Sequence, residues 1–291
     1  MRTGFLFSLF AVFVLVSGCD EAVAPAGDIA AYYTLWGALN PSADEQAIRV
    51  VPIESEIGAG SADPLGVNVS STDLVSGSVI TWRDSVITYG DGSIGHVFLG
   101  DFRPEFGRRY RFDVVGGEGR TTSAATRVPP LVSPFREATE FIPGDVKMPV
   151  LWPGAPQLNK IEIIYELENG NCDRFIQDAP FAGDAEPFEF GWRTTILLAE
   201  AADIVLGLLD NRPHAVTRMW LRAEVASEDW RPPGGVFDQE LLIEPGLFSN
   251  VEGGFGFVGG SYVATTAFWV PEAEALSRAG FRFPGFGACS P

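Results

Sequence analysis

Phe102-Arg103-Pro104-Glu105-Phe106-Gly107-Arg108-Arg109-Tyr110 is the stretch that decides the fold. An apolar residue, a proline and a glycine lead into a tyrosine that opens the alternating run Tyr110 to Gly116. Pro cannot continue a central strand and Gly supplies backbone freedom, so the nine residues spell a turn between two strands. Working outward, Ile48 to Ile53, Leu65 to Ser71, Ser78 to Tyr89, His96 to Phe102 and Thr121 to Val128 are also short and rich in Val, Ile, Thr and aromatics. Gly, Pro, Asp and Ser separate them. Six such segments within about 100 residues predict an antiparallel β-sandwich.

The spacing of Pro104, Gly107 and Tyr110 resembles the tyrosine corner of fibronectin type III and related immunoglobulin-like domains. That resemblance implies a phenol hydroxyl bonded to a backbone group a few residues upstream, fixing the crossover between sheets. The predicted fold class is therefore mainly β: an immunoglobulin/fibronectin III-like β-sandwich over residues 31–130, then a second β-rich domain over 131–291 with one or two short helices. Pro129-Pro130-Leu131-Val132-Ser133-Pro134 marks the boundary, with three Pro in six residues.

The second half is less regular. Lys160 to Glu168 places Ile161, Ile163, Tyr165 and Leu167 on one face and Glu162, Glu166 and Glu168 on the other. Met219, Leu221, Ala223 and Val225 alternate in the same way with Arg218, Trp220, Arg222 and Glu224. Leu197, Leu198, Ala201, Ile204, Val205 and Leu208 recur at helical spacing, with Thr194 or Thr195 as the expected cap and Asn211-Arg212-Pro213 as the stop. Pro271 to Ala279 predicts a second short helix, with Gly280 just beyond. Gly253 to Pro271 is uncharged but too rich in Gly and Thr for a lipid-buried helix, and predicts a glycine turn feeding a strand over Tyr262 to Val270.

Residues 1–18 hold Arg2, an apolar run from Phe5 to Val16 and then small residues, the pattern of a secretory signal too short to span a membrane. The junction Leu15-Val16-Ser17-Gly18-Cys19 resembles the bacterial lipobox. The resemblance implies cleavage before Cys19, fatty acylation of that residue, and a membrane anchor followed by a flexible tether over 19–30. The outer membrane is the expected location.

The order of features also resembles uncharacterised bacterial lipoproteins that carry a domain of unknown function. The matching features are an opening strand at Tyr33 to Leu39, the Gly107 to Tyr110 strand start, Thr121 to Pro129, and Asn250-Val251-Glu252-Gly253-Gly254-Phe255-Gly256-Phe257. This resemblance implies an accessory role beside an outer-membrane receptor and supplies no catalytic residues.

Composition excludes one class of partner. Among 291 residues, 38 are Asp or Glu and 20 Lys or Arg, a net charge of −18 that opposes nucleic-acid binding. Gly254-Phe255-Gly256-Phe257-Val258-Gly259 matches a dinucleotide fingerprint in letters, but a loop precedes it and a strand pattern follows, so the glycines predict positive φ or close packing. Ser93 lacks a nucleophile elbow, and His96 and His214 fall in strand patterns. The row Glu162, Glu166, Glu168 is the carboxylate set a glycan hydrolase could use, and a solvated outer face otherwise. Asp84, Asp91 and Asp101 lie near turns without a calcium-loop signature, so no metal and no cofactor is expected. Trp220, between Arg218 and Arg222, and Trp230, beside Arg231-Pro232-Pro233, are the candidate binding residues, because an exposed indole stacks on a sugar ring. Cys172 and Cys289 remain as an expected disulfide. The expected function is a non-catalytic, lipid-anchored interaction module whose partner is an outer-membrane receptor or a glycan.

Overall fold

The computed structural model describes residues 31–53, 61–90, 92–181, 183–209, 214–230 and 249–281. The first half forms β1 (Tyr33–Leu39), β2 (Glu45–Pro52), β3 (Asn68–Asp73), β4 (Val79–Thr88), β5 (Ile94–Asp101), β6 (Arg109–Val115) and β7 (Thr121–Arg127). The second forms β8 (Phe135–Arg136), β9 (Glu140–Ile142), β10 (Asp145–Pro153), β11 (Gln157–Glu168), β12 (Arg174–Pro180), β13 (Gly183–Phe188), β14 (Gly191–Leu197), β15 (Ala215–Ala226), β16 (Val251–Glu252) and β17 (Gly254–Thr265). Helices cover Leu198–Leu208 and Ala273–Arg278. The chain is mainly β, with two short helices.

In the first half the apolar residues fall at every second position, so one face of each strand can be buried. Leu35, Ile48, Val50, Val69, Trp82, Phe98, Phe112 and Val114 join one core. The strands lie in two layers, β17-β1-β2-β5-β4 and β4-β3-β6-β7-β16. β4 belongs to both: Val79 to Trp82 pair with β3, and Arg83 to Thr88 pair with β5. The loop 102–108 crosses from β5 in one layer to β6 in the other. There the Tyr110 hydroxyl accepts the backbone N–H of Glu105 at 3.0 Å, while its ring sits beside Phe102. Gly107 takes φ 76 and donates its N–H to the carbonyl of Val128, closing the turn against the linker.

A second core gathers Val146, Met148, Val150 and Trp152 of β10, Ile163, Tyr165 and Leu167 of β11, and Met219, Leu221, Ala223 and Val225 of β15. β12-β11-β15-β17 forms one side and β13-β14-β10 the other, with β8 and β9 on β10. The helix Leu198–Leu208 adds Leu198, Ala201, Ala202 and Val205. Its start differs from the expected cap. Thr194 and Thr195 remain in β14, and Thr194 instead receives the Trp152 indole N–H at 2.9 Å in the core. Asp145, at the start of β10, accepts the N–H of Ala199 at 2.9 Å, so one of the free amides of the first turn is met by a side chain distant in sequence. The second helix begins at Ala273 rather than Pro271, and Gly280 follows it at φ 83, where a left-handed residue ends a helix.

β17 corrects the expected turn. The glycine run is itself strand, with Gly254 to Gly260 parallel to β1 and Ser261 to Thr265 antiparallel to β15. Val258 packs in the first core, and Tyr262 and Ala264 in the second. A strand taken from the second half of the sequence thus completes the first core, and the described residues form one compact unit. The glycines allow this approach. A Cβ on Gly254 would collide with the Tyr33 carbonyl oxygen, and one on Gly256, at φ 101, with that of Leu35.

Candidate binding face

The outer surface of β12-β11-β15-β17 carries the sequence candidates together. Glu162 pairs with Arg222, Ile164 with Trp220, and Glu166 with Arg218 across β11 and β15. Across β12, Pro180, Asp178, Ile176 and Arg174 stand opposite Glu162, Ile164, Glu166 and Glu168. Beyond β17 the chain stays alongside β15, where Met219 and Trp269 exchange backbone hydrogen bonds at 2.8 and 2.9 Å. Between the pairs Arg222–Thr265 and Met219–Trp269 this chain carries one extra residue, so Ala267 and Phe268 share the place opposite Trp220, and Val270 follows opposite Arg218. The result is an apolar row, Ile164, Trp220 and Phe268, lying between two charged rows.

The charged rows are paired internally. Arg222 reaches Glu162 at 2.7 Å and Asp178 at 3.1 Å, and the hydrogen bond it donates to Glu162 raises the guanidinium pKa above its usual value. Arg174 meets Glu168 at 3.1 Å and Arg218 meets Glu166 at 3.7 Å. Thr217, the extra residue where the β11–β15 register shifts, donates its hydroxyl to the Glu166 carboxylate at 2.9 Å. Each of the three glutamates set aside for hydrolysis therefore faces an arginine. Arg218 also lies over the Phe268 ring, 4.7 Å from its centre.

Ile164 points to this outer side and is only 2% exposed. Trp220, its cross-strand partner, remains half-buried, and Phe268 is 63% exposed. The face presents part of an indole and an open phenyl ring within a hydrogen-bonding frame.

Trp230 does not join this row. Its ring packs edge-on against Phe257 at 5.5 Å and lies over Gly259, where a Cβ would meet it. From Trp220 to Ala226, after which the chain turns back toward Trp230, β15 covers roughly 20 Å at about 3.3 Å per residue. One ligand ring cannot stack on both. Trp230 lies outside the strands, after the turn that follows β15, and its indole packs there because Gly259 leaves it a flat seat.

The remaining candidates lie apart. His96 is buried, with Nδ1 2.8 Å from Asp84 Oδ1 and Nε2 3.0 Å from the Ser61 carbonyl oxygen. Both ring nitrogens thus face protein acceptors, Asp84 at one and the Ser61 carbonyl at the other. His214 is buried edge-on to Phe175. Asp84 also accepts the Leu65 N–H at 3.2 Å, Asp101 lies 3.9 Å from Arg83, and Asp91 falls outside the described residues. Among the described residues no three His, Cys, Asp or Glu converge as a metal site. Cys172 sits at φ 69 in the turn after β11, while Cys19 and Cys289 fall outside the described residues.

No family model and no curated protein matches the chain. A crystal structure of bovine butyrophilin aligns with 66% of this chain and 91% of that chain, at 12% identity and a TM-score of 0.21. An overlap that slight bears on neither architecture nor function.

Sequence alternation placed Glu162, Arg218, Trp220 and Arg222 on one side of their strands. It missed Phe268, Asp178 and Arg174, whose places depend on pairing between strands. The one local signal was the exposed run Phe268-Trp269-Val270, in which only the middle residue turns inward.

Proposed function

We propose that this chain is a lipid-anchored lipoprotein of the cell envelope, held at the outer membrane, that acts as a non-catalytic interaction module through the outer face of β12-β11-β15-β17. The observation that carries this reading is the partly exposed Trp220 near the open Phe268, in a frame of arginine–carboxylate pairs. An exposed aromatic ring set in a polar frame is the kind of group that anchors a partner at an interface. The acids that a hydrolase would need are each engaged by an arginine, which favours binding over acid–base chemistry. The lipobox at Leu15 to Cys19 supplies the membrane attachment, and the tether after it leaves the folded unit free to present this face.

Two measurements test the proposal. Cys19→Ser should abolish labelling by a fatty-acid analogue and release the chain from membranes, and an unlabelled wild type would end the anchoring. A photo-crosslinking residue at position 268 should trap a defined envelope component, whereas one at the exposed Val75 should not. Equal trapping at both positions, or at neither, would remove this face from the function.

A further inference from the structure

Resting on that reading, we infer that the Trp220 and Phe268 face binds a neutral hexopyranose glycan. The charges of the face decide the class of ligand. Three arginines, Arg174, Arg218 and Arg222, are interleaved with four carboxylates, Glu162, Glu166, Glu168 and Asp178, at separations of 2.7 to 4.0 Å, so every charge has a partner and one carboxylate is in excess. An anionic ligand meets arginines already held by carboxylates, and a cationic one meets carboxylates already held by arginines. A neutral ring with many hydroxyls meets neither conflict. Its C–H face fits an indole, and its hydroxyls both donate to carboxylates and accept from guanidinium N–H groups.

Solvation points the same way. Arg222, Glu162, Asp178 and Arg218 keep between 37% and 52% of their side-chain surface open to water. A protein partner or a second copy covering the face would strip water from every one of these charges, at a cost that pairing repays only with excellent geometry. A sugar exchanges those waters for hydroxyls and leaves the ion pairs in place. Size agrees as well. Trp220 is partly covered and offers one surface, with Phe268 as its neighbour in the row, which suits a chain of linked rings laid across the strands.

The test uses the full chain in a detergent without sugar groups, titrated with maltohexaose, cellohexaose and chitohexaose, and with a hexamer of galacturonate as the anionic comparison. At least one neutral hexasaccharide should bind, followed by calorimetry and by tryptophan fluorescence. Trp220→Ala should weaken that binding roughly tenfold or more, whereas Trp220→Phe should retain part of it. Arg222→Ala should weaken it too, and Phe190→Ala, exposed but remote from the face, should not. Melting curves superimposable with wild type certify that the variants are folded. Binding of no neutral sugar, binding indifferent to Trp220, or preference for the galacturonate hexamer would each overturn the glycan assignment. If the sugars fail while a crosslinker at position 268 still traps an envelope protein, the ligand class falls and the interaction module stands.

Discussion

The Tyr262 hydroxyl accepts the buried N–H of Val132 at 2.7 Å across 130 residues of sequence, and donates to the Pro130 carbonyl at 3.0 Å. Tyr262 belongs to β17, the strand shared by both cores, so its phenol ties the proline linker to that strand. Phe106 of the β5–β6 loop packs edge-on against the same ring at 5.0 Å. The sequence reads Pro129 to Pro134 as a boundary, and the structure makes it a seam clamped from both sides. Tyr262→Phe keeps the ring and leaves the Val132 N–H without its acceptor, a loss of about 1 to 3 kcal/mol. A lower urea midpoint with an unchanged slope is expected, and an unaltered midpoint would show the seam to be held by packing alone.

Tyr110 performs a comparable task within the first core. Its hydroxyl meets a Glu105 N–H in a turn that water can reach, so Tyr110→Phe should cost less, about 1 kcal/mol. Combining it with Tyr262→Phe should give additive losses in chemical denaturation, because the two hydroxyls share no partner. A large departure from additivity would mean that the loop 102–108 and the seam move as one element.

Tyr165 behaves in the opposite sense. Its hydroxyl is buried in the second core without a hydrogen-bond partner among the described residues, and burial pushes its pKa well up. Tyr165→Phe removes an unsatisfied group, so neutral or raised stability is expected. Burial also raises the phenols of Tyr110 and Tyr262. For all three the folded pKa exceeds the unfolded one, so their contribution is present below the unfolded value near 10 and is lost as pH climbs through the folded value. Urea midpoints measured from neutral to strongly alkaline pH should fall above about 10, and less steeply in Tyr165→Phe. A fall identical in the two proteins would assign the alkaline loss elsewhere.

How much of this was legible in the sequence depended on distance along the chain. Tyr110 could be read because Pro104, Gly107 and Tyr110 lie within one turn, so local chemistry is enough. The two-sided character of β11 and β15 could be read from alternation. Which rows meet could not, since the register shifts between Asn159 and Glu162, where Lys160 takes φ 44, and again beside Thr217. Asp145 as the helix cap and β17 as a strand of both cores were invisible for the same reason. Each is defined by a partner far away in sequence, and a glycine run looks like a turn until the strand that presses against it is known.

That distinction between glycines can be measured with one substitution at two sites. Gly256→Ala would force a side chain into φ 101 and into the Leu35 carbonyl, displacing β17 from β1. Loss of the folded state, or of several kcal/mol, is expected. Gly207→Ala in the helix Leu198–Leu208 meets open space and should stabilise by about 0.5 to 1 kcal/mol. Thermal unfolding of the two variants should therefore shift in opposite directions. A tolerated Gly256→Ala would mean that the β1–β17 contact is looser than the backbone geometry demands.

The last expectation concerns the cysteines. Cys172 occupies the turn Asn169 to Asp173, where the Asn169 side-chain oxygen accepts the N–H groups of Asn171 and Asp173 at 2.8 and 3.0 Å. The turn is therefore set by Asn169, and Cys172 itself stands at φ 69, a conformation that costs a non-glycine residue unless something holds it. A bridge to Cys289 would supply such a restraint and would staple the C-terminal residues to the β11–β12 turn. Closing a loop of that length is worth up to roughly 4 to 5 kcal/mol by chain entropy, and less where native strain intervenes. The denatured, unreduced protein should titrate no thiol at either position, and reduction should lower the urea midpoint. Replacing both residues by Ser should lower it to the same level and make it insensitive to reductant. Two titratable thiols in the unreduced protein, with equal midpoints before and after reduction, would refute the bridge and leave the left-handed turn to Asn169 alone.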